Sequence, residues 1–384
     1  MITNFKINFN KINGFVNLDK KFKDEIRKKI LLYSPVYKFA EKVGITSVHL
    51  GYFLNNRDSL ISIKYLIKIL KALKISFRGA EKQIISYRDA NGKIIYKIKF
   101  PYYFTPVDMR IIGVLIGDGN IHSNNKMLRW IQNDISPLKK LLFSKMNYNK
   151  INKKESKQFV IPAFFRKISC YFLNLKPSEL GSHKLIQKSL DLPREYKLAL
   201  LLAIIEDESN IDPRNYSGIN IRMSDKDIIN SLKELCNFLD YKTSKIIKYD
   251  NKDNTYGKNV MYRLNILSDG ISKLGYNILD FEKKFGKNVS LWKKREDFFK
   301  RWYTCVGKRS KKNKDGQKIH KELINLFKRD KDLSLDEIAK KLKIKRVRLV
   351  DLLKRMCKRK EIYRIKRGLY KYKNDGVYVS KNLG

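Results

Sequence analysis

The sequence predicts an α+β protein: a duplicated core carrying antiparallel sheets, flanked by two small, mainly helical domains. Three observations predict it. Two apolar runs of matched pattern end in acids at positions 118 and 208. Each is followed by an alternating, β-like run and then by a helical run. Segments with helical spacing and capped turns lie on both sides of this repeat.

Residues 1–82 read as a helix-turn-helix domain. Positions 36–43 have helical spacing, and Gly44-Ile45 breaks it. Thr46 is a natural N-cap for a second run, which Asn55-Asn56-Arg57 ends. Ser62 opens a third run over 63–73. Helix, glycine turn and Thr-capped helix together resemble the small phage-repressor (Cro and C1-like) family. Ala40 and Gly44 fit that family's tight crossing and turn. The resemblance implies that Thr46, Ser47 and His49 face the major groove of DNA, with Asn55 and Arg57 beside them.

Residues 83–104 are predicted to be a β-hairpin connector. Ile84-Ile85-Ser86-Tyr87 and Ile94-Ile95-Tyr96-Lys97-Ile98 flank Asp89-Ala90-Asn91-Gly92. Asn-Gly between alternating apolar runs is a strong hairpin signal.

Residues 105–306 hold the repeat, in copies of about 105–192 and 193–306. The first run is Met109-Arg110-Ile111-Ile112-Gly113-Val114-Leu115-Ile116-Gly117-Asp118-Gly119-Asn120-Ile121. The second is Leu200-Leu201-Leu202-Ala203-Ile204-Ile205-Glu206-Asp207-Glu208-Ser209-Asn210-Ile211. A small residue, Gly113 or Ala203, stands five positions before each acid, and Asn-Ile follows two positions after it. Arg129 and Arg222 occupy matching places, each five residues before an Asp. A further β-like run at 261–266 has a weaker counterpart at 159–161. Matching order at matching offsets argues for duplication, and a single chain with two copies is expected to act as a pseudo-symmetric monomer.

Residues 307–318 contain almost no apolar side chain and are expected to form a basic linker. Beyond it, 319–327, 335–342 and 345–357 have helical spacing, and 362–372 reads as a hairpin turning at Arg367-Gly368. The segment 319–384 resembles a winged helix. That resemblance puts Lys345, Arg346 and Arg348 on a recognition helix and Arg364, Lys366 and Arg367 on the wing.

The 384 residues include 84 Lys and Arg against 38 Asp and Glu, a formal net charge of +46 spread along the whole chain. An AT-rich genome would enrich lysine by codon bias, but the local motifs point the same way as the charge. Such a chain repels itself until a polyanion neutralises it, and each cation set on a phosphate releases a counterion. Double-stranded DNA is the expected partner, with structured RNA as the alternative. The first 30 residues are polar and basic and no run of 18 apolar residues occurs, so neither a secretory signal nor a membrane is expected. Cys170, Cys236, Cys305 and Cys357 never form C-x-x-C. That argues against a zinc or disulfide framework and fits a cytoplasmic, nucleoid-associated protein.

The two acids suggest the chemistry. Small residues at Gly113, Gly117 and Ala203 let two helices approach backbone to backbone. If the helices run parallel, Asp118 and Glu208 meet at their C-terminal ends. The helix dipole is negative there, and neighbouring carboxylates repel. Breaking the charge rule in both copies predicts a cation between them. Mg²⁺ fits, because it takes one or two carboxylates together with waters and substrate phosphates.

Residues 111–119 resemble the LAGLIDADG family of homing endonucleases over all nine motif positions. Residues 201–209 align as a degenerate second motif, with Ser209 for the final Gly and extra acids at Glu206 and Asp207. The resemblance spans 106–300. It implies an αββαββα order in each half, paired as a saddle over the major groove, and metal-dependent hydrolysis giving a double-strand break at a long asymmetric target. It implies Asp118 and Glu208 as catalytic acids and metal ligands, with Gly117 and Asp207 beside the metal. Arg129, Gln132 and Arg222 would lie on the saddle, where arginine reads guanine and glutamine reads adenine. Many members carry a basic residue before the second motif, and Lys184 is the candidate here. Lys284 and Lys287 are candidates for its symmetric partner. Two alternatives share the same surface. One is a non-cutting transcriptional regulator resembling the WhiA type, favoured by the terminal helix-turn-helix modules and the degenerate second motif. The other is an RNA maturase.

Overall fold

The computed structural model describes residues 5–89, 94–96, 98–121, 128–146, 157–212, 218–250, 260–329, 334–358, 362–366 and 369–372. The chain forms two compact units, Met1–Trp302 and Tyr303–Gly384. Its class is α+β, with small antiparallel sheets.

In the first unit, Asp19 caps the helix Lys20–Tyr33 by accepting from the backbone N–H of Lys21. The helix Val36–Val43 stops at Gly44, which takes the left-handed conformation with φ 67° and ψ 46°. Glycine adopts this at no steric cost. Thr46 then accepts from the N–H of His49 at 3.3 Å and starts the helix Ser47–Asn55. The helix Ile63–Ala72 packs against Val36–Val43.

The region is less purely helical than the sequence suggests. A four-stranded antiparallel sheet runs in the order Ile61–Ser62, Phe15–Leu18, Ile84–Arg88, Ile95–Tyr96. The expected hairpin is therefore one side of a sheet whose other strands come from the first 62 residues. Its Asn91-Gly92 turn lies outside the described residues. Lys6–Ile7 pairs with Tyr102–Tyr103. Phe5 stacks on Tyr196 with ring centroids 5.1 Å apart, and Phe104 stacks on Phe172 at 4.3 Å. Lys167 pairs with Asp89. Aromatic burial of this kind joins the first hundred residues to the repeat region within one compact unit.

The repeat region is built around two helices. Pro106–Gly113 begins with a capping box between Thr105 and Asp108. It then tightens into i to i+3 turns, with Leu115 N–H donating to Ile112 at 3.0 Å and Ile116 N–H to Gly113 at 3.2 Å. These turns deliver Asp118. The second helix, Arg194–Glu208, stays α-helical through its acid and is buried from Leu198 to Glu206. The two helices cross at their small residues. A Cβ on Gly113 would stand 2.7 Å from the Cβ of Ala203, and one on Gly117 would stand 2.6 Å from the Cβ of Asp207.

After the first of these helices come strands Gly119–Ile121 and Leu128–Ile131, helix Ser136–Met146, strand Gln158–Ile161 and helix Ala163–Leu173. After the second come strands Ser209–Asn210 and Ile219–Met223, helix Lys226–Phe238, strands Ile247–Asp250 and Val260–Ile266, and helix Ser268–Phe285. Both sheets are antiparallel. In each, the central strand after the acid pairs with the later strand, Arg129 opposite Val160 and Arg222 opposite Arg263.

The helix Arg295–Arg329 includes 307–318, so the basic linker is helical. No proline interrupts this stretch, and its Lys, Arg and Gln residues favour the helix against Gly307 and Gly316. In the second unit, Ser334 and Glu337 form a capping box for Leu335–Lys341. The helix Arg346–Lys358 follows, then the antiparallel strands Ile362–Lys366 and Leu369–Tyr372. Leu323, Ile338, Leu349, Leu353, Met356 and Ile362 form one buried cluster. Among the described residues, no helix is long and apolar enough to cross a membrane.

The helix crossing makes a direct prediction. Gly113→Ala should destabilise the first unit by about 1–3 kcal/mol, because the new methyl has no room. Gly51→Ala, inside a helix where a Cβ would meet nothing within 4 Å, should instead stabilise by up to about 1 kcal/mol. Urea denaturation of the two variants checks both signs.

Candidate active site

Three consecutive acids end the helix Arg194–Glu208, and each is used differently. The Glu206 carboxylate accepts from the backbone N–H groups of Trp292 at 2.8 Å and Lys293 at 3.0 Å. It therefore pins the segment 292–293 to the helix end. Asp207 accepts from the Trp130 indole N–H at 3.2 Å, while its Oδ1 is buried and meets no donor among the described residues. Glu208 turns toward the first motif, and its Oε1 would lie 2.9 Å from a Cβ on Gly117. Asp118 accepts a hydrogen bond from the Gln132 side-chain amide, whose Oε1 in turn accepts from Lys293 Nζ at 3.2 Å.

The electrostatics follow from burial of several like charges. Burial first, and then the Asp118 charge, push the Glu208 carboxyl up to about 7. Burial pushes Asp207 up to about 8, with Arg110 opposing and Asp118 adding to the rise. Burial also raises Asp118, against Lys294, the Gln132 hydrogen bond and Lys293. Lys294 supplies the nearest compensation. Its ammonium donates to the carbonyls of Ile205 at 3.1 Å and Asp207 at 3.4 Å, and burial holds its own pKa below the usual range. A cation there also favours the negative end of the helix dipole. Beneath the acids, the fully buried Arg110 guanidinium lies 3.8 Å from the centre of the Trp292 ring and donates to the Ser290 carbonyl at 3.4 Å.

The structure thus brings together Asp118, Glu208, Gly117, Asp207 and Gln132. Gln132 sits on the acid instead of reaching outward as a base-reading side chain. Lys184 is half-exposed and paired with Glu179 at 2.5 Å, and Lys284 is paired with Glu195 at 3.0 Å. The lysines that act on the acids are Lys293 and Lys294, which the sequence reading does not single out. Their one signal is indirect: three adjacent acids at a buried helix end require counter-charge, and Trp292-Lys293-Lys294-Arg295 clusters it. Lys140, Lys287, Lys293 and Arg295 also line a recess of about 380 Å³ at the start of the helix Ser136–Met146.

Arg129 and Arg222 lie on the sheet faces turned away from the helices, since their neighbours Leu128, Trp130, Ile221 and Met223 are buried. Across the first sheet Asn120 stands opposite Arg129. Across the second, Asn210, Asn220 and Asn265 form a row, with Arg222 opposite Arg263. Arg222 donates to Asn220 at 3.2 Å. Among the described residues, the buried Nε atoms of Arg129 and Arg263 meet no acceptor.

The flanking candidates are elsewhere. Thr46 is spent as a cap, while Ser47, His49, Asn55 and Arg57 are exposed. Lys345 and Arg346 are exposed at the start of the helix Arg346–Lys358, with Arg346 Nε 3.4 Å from Asp336. Arg348 lies on that helix, and Arg364 and Lys366 lie on the strand Ile362–Lys366. Arg367 is outside the described residues.

The donor set suits a hard divalent ion that keeps most of its own waters. Asp118 and Glu208 are close enough to repel, and the buried Oδ1 of Asp207 meets no donor among the described residues. Among the described residues, no group of three or more His, Cys, Asp and Glu side chains is arranged as a metal cage.

Raised carboxyls bind their protons more tightly in the folded chain than in the unfolded one. Their contribution to stability is therefore full below about pH 4 and is lost as pH rises through 7 and 8. In chelator, the Tm of the parent should fall between pH 6 and 9. Asp207→Asn should flatten that fall and raise Tm at pH 8 by about 2–4 °C. Thermal melts across this range decide, and an unchanged slope in the variant would contradict the assigned burial.

Comparison with known proteins finds no matching family, no matching curated protein and no matching solved structure.

Proposed function

We propose that this protein is a metal-dependent, site-specific double-strand DNA endonuclease of the LAGLIDADG homing type, working as a monomer with a duplicated core. One observation carries the reading. Two matched helices cross at glycine and alanine, and the acids that end the two runs, exposed Asp118 and half-buried Glu208, repel each other at one site. A structural helix end has no reason to concentrate anions where the dipole is already negative.

Asp118 and Glu208 would hold Mg²⁺ or a similar cation, beside Gly117 and the Oδ1 of Asp207, and such an ion supplies phosphate polarisation and an acidified water. The chain's own residues do the rest. Gln132 orients the Asp118 carboxylate and is itself tied to Lys293. Lys294 offsets the anionic charge when the acids ionise. Trp130 and Trp292, edge to face at 5.6 Å, close the buried side of Asp207. Arg129, Arg222 and Arg263, with Asn120, Asn210 and Asn220, offer donors and acceptors of the kind that read base edges in a major groove. The basic recess at Lys140, Lys287 and Lys293 suits backbone phosphates. Residues 1–82 and 319–384 would extend the grip on DNA in an intracellular, nucleoid-associated setting.

A second reading, a regulator that binds without cutting, draws on the helix-turn-helix geometry around Gly44 and Thr46. The two separate on one assay. Purified protein is incubated with supercoiled plasmids carrying fragments of its host genome, with Mg²⁺ or with chelator. The expected result is metal-dependent linearisation at one locus. Asp118→Asn and Glu208→Gln should each slow it by about 100-fold or more. Lys294→Met should slow it as well, and Lys184→Met should not. Tight metal-independent binding without cleavage would establish the regulator instead. At the cleaved locus, Arg222→Ala should weaken binding by about 1–3 kcal/mol and relax discrimination at one base pair.

A further inference from the structure

A second site lies far along the chain from the acids, in the N-terminal region. A cavity of about 450 Å³ opens between the helix Ser47–Asn55, the turn after it and the four-stranded sheet. This falls within the range of small-molecule sites, roughly 300–1,000 Å³. Its walls are chemically mixed in an ordered way. Phe15, Tyr52 and Tyr65 contribute flat aromatic surface. Tyr52 is 62% exposed, an uncovered ring on the wall of a cavity.

Arg88 supplies the charge. It stands directly opposite Phe15 in the sheet register, and its guanidinium lies 5.4 Å from the centre of that ring. At this distance the guanidinium makes a cation–π contact with Phe15. The Arg88 Nε is buried, and no acceptor meets it among the described residues. Arg88 as a whole is half-buried and lines the cavity, so the remaining N–H groups of its guanidinium can donate to an anionic oxygen there. The start of the helix Ile63–Ala72 opens on the same cavity. Ser62, its N-cap residue, lines the wall, and its side chain caps no backbone N–H. The wall also carries one carboxylate, Asp58, which suits an N–H donor on the body of the occupant and disfavours a second anionic group.

We propose that this cavity binds a small planar aromatic molecule bearing one anionic group, the ring held among Phe15, Tyr52 and Tyr65 and the anion against Arg88. A nucleoside monophosphate and an aromatic amino acid share this chemistry, and the test distinguishes them. The site does not use the acids, although His49, a candidate DNA contact, also lines it.

The full chain is titrated calorimetrically with adenosine 5′-monophosphate, with L-tryptophan and with uncharged adenosine. At least one of the first two should bind saturably, and adenosine should bind at least about tenfold more weakly than its monophosphate where that is the ligand. Saturation by the nucleotide alone identifies the phosphate source, and saturation by tryptophan alone the carboxylate source. Arg88→Gln and Tyr52→Ala should each weaken the binding by about tenfold or more. Should Arg88→Gln fail to fold, the exposed position of Tyr52 lets Tyr52→Ala carry the comparison. The proposal is overturned if neither charged probe saturates at millimolar concentration, or if Tyr52→Ala binds as tightly as the parent.

Discussion

Two helices can approach until their Cβ atoms nearly touch only where the crossing is lined by residues with almost no side chain. Gly113 against Ala203 meets that condition, and in the turns beyond the first helix Gly117 leaves room for the Cβ of Asp207. The contact does more than fill a core. Each member of a pair occupies the same place in its own apolar run, so equivalent positions of the two runs meet at the seam. Once Gly117 lies against Asp207, the next residue of each run, Asp118 and Glu208, has little choice of neighbour. Packing at the crossing and charge crowding at its end are one constraint seen at two levels.

The crowding is managed by distributing the acids. Glu206 is satisfied by two backbone N–H groups of the segment that carries Lys293 and Lys294. Asp207 takes one indole N–H, and its other oxygen meets no donor among the described residues. The lysine segment is thus held by the same helix end whose charge it offsets, and Arg110 adds a fixed positive charge from below, wedged on Trp292. A buried arginine without full hydrogen bonding is ordinarily expensive. Here its field acts on Glu206 and Asp207, so the cost is offset by relief of carboxylate repulsion.

What is legible in the sequence is what local chemistry decides. Gly44 as a left-handed stop, Thr46 as a cap, and the small residues five before each acid can all be read without partners. The strands Phe15–Leu18 and Ile61–Ser62 cannot, because such short pairs form only through neighbours distant in the chain. Lys294 is invisible for a different reason. In a chain with 84 lysines and arginines, one more lysine carries no information until folding sets it beside an acid. Gln132 is half legible: its place just after the strand Leu128–Ile131 can be read, but whether it turns outward or toward Asp118 depends on Lys293, 161 residues away.

The two halves are not equivalent, and the difference bears on the chemistry. The first motif leaves the α-helix at Gly113 and reaches Asp118 through tight turns that leave it exposed. The second remains helical through Glu208, which is the more enclosed of the two. Gln132 contacts only the first acid among those two, while Lys294 lies against the carbonyl end of the second helix. A pair of carboxylates in unlike environments loses its protons in unlike steps. If the proposed hydrolysis uses one acid for each strand, identical chemistry on the two strands is therefore not built into this fold. On the proposed reading, Glu206 is the means by which the enclosed half gains its own counter-charge, through the segment that it pins.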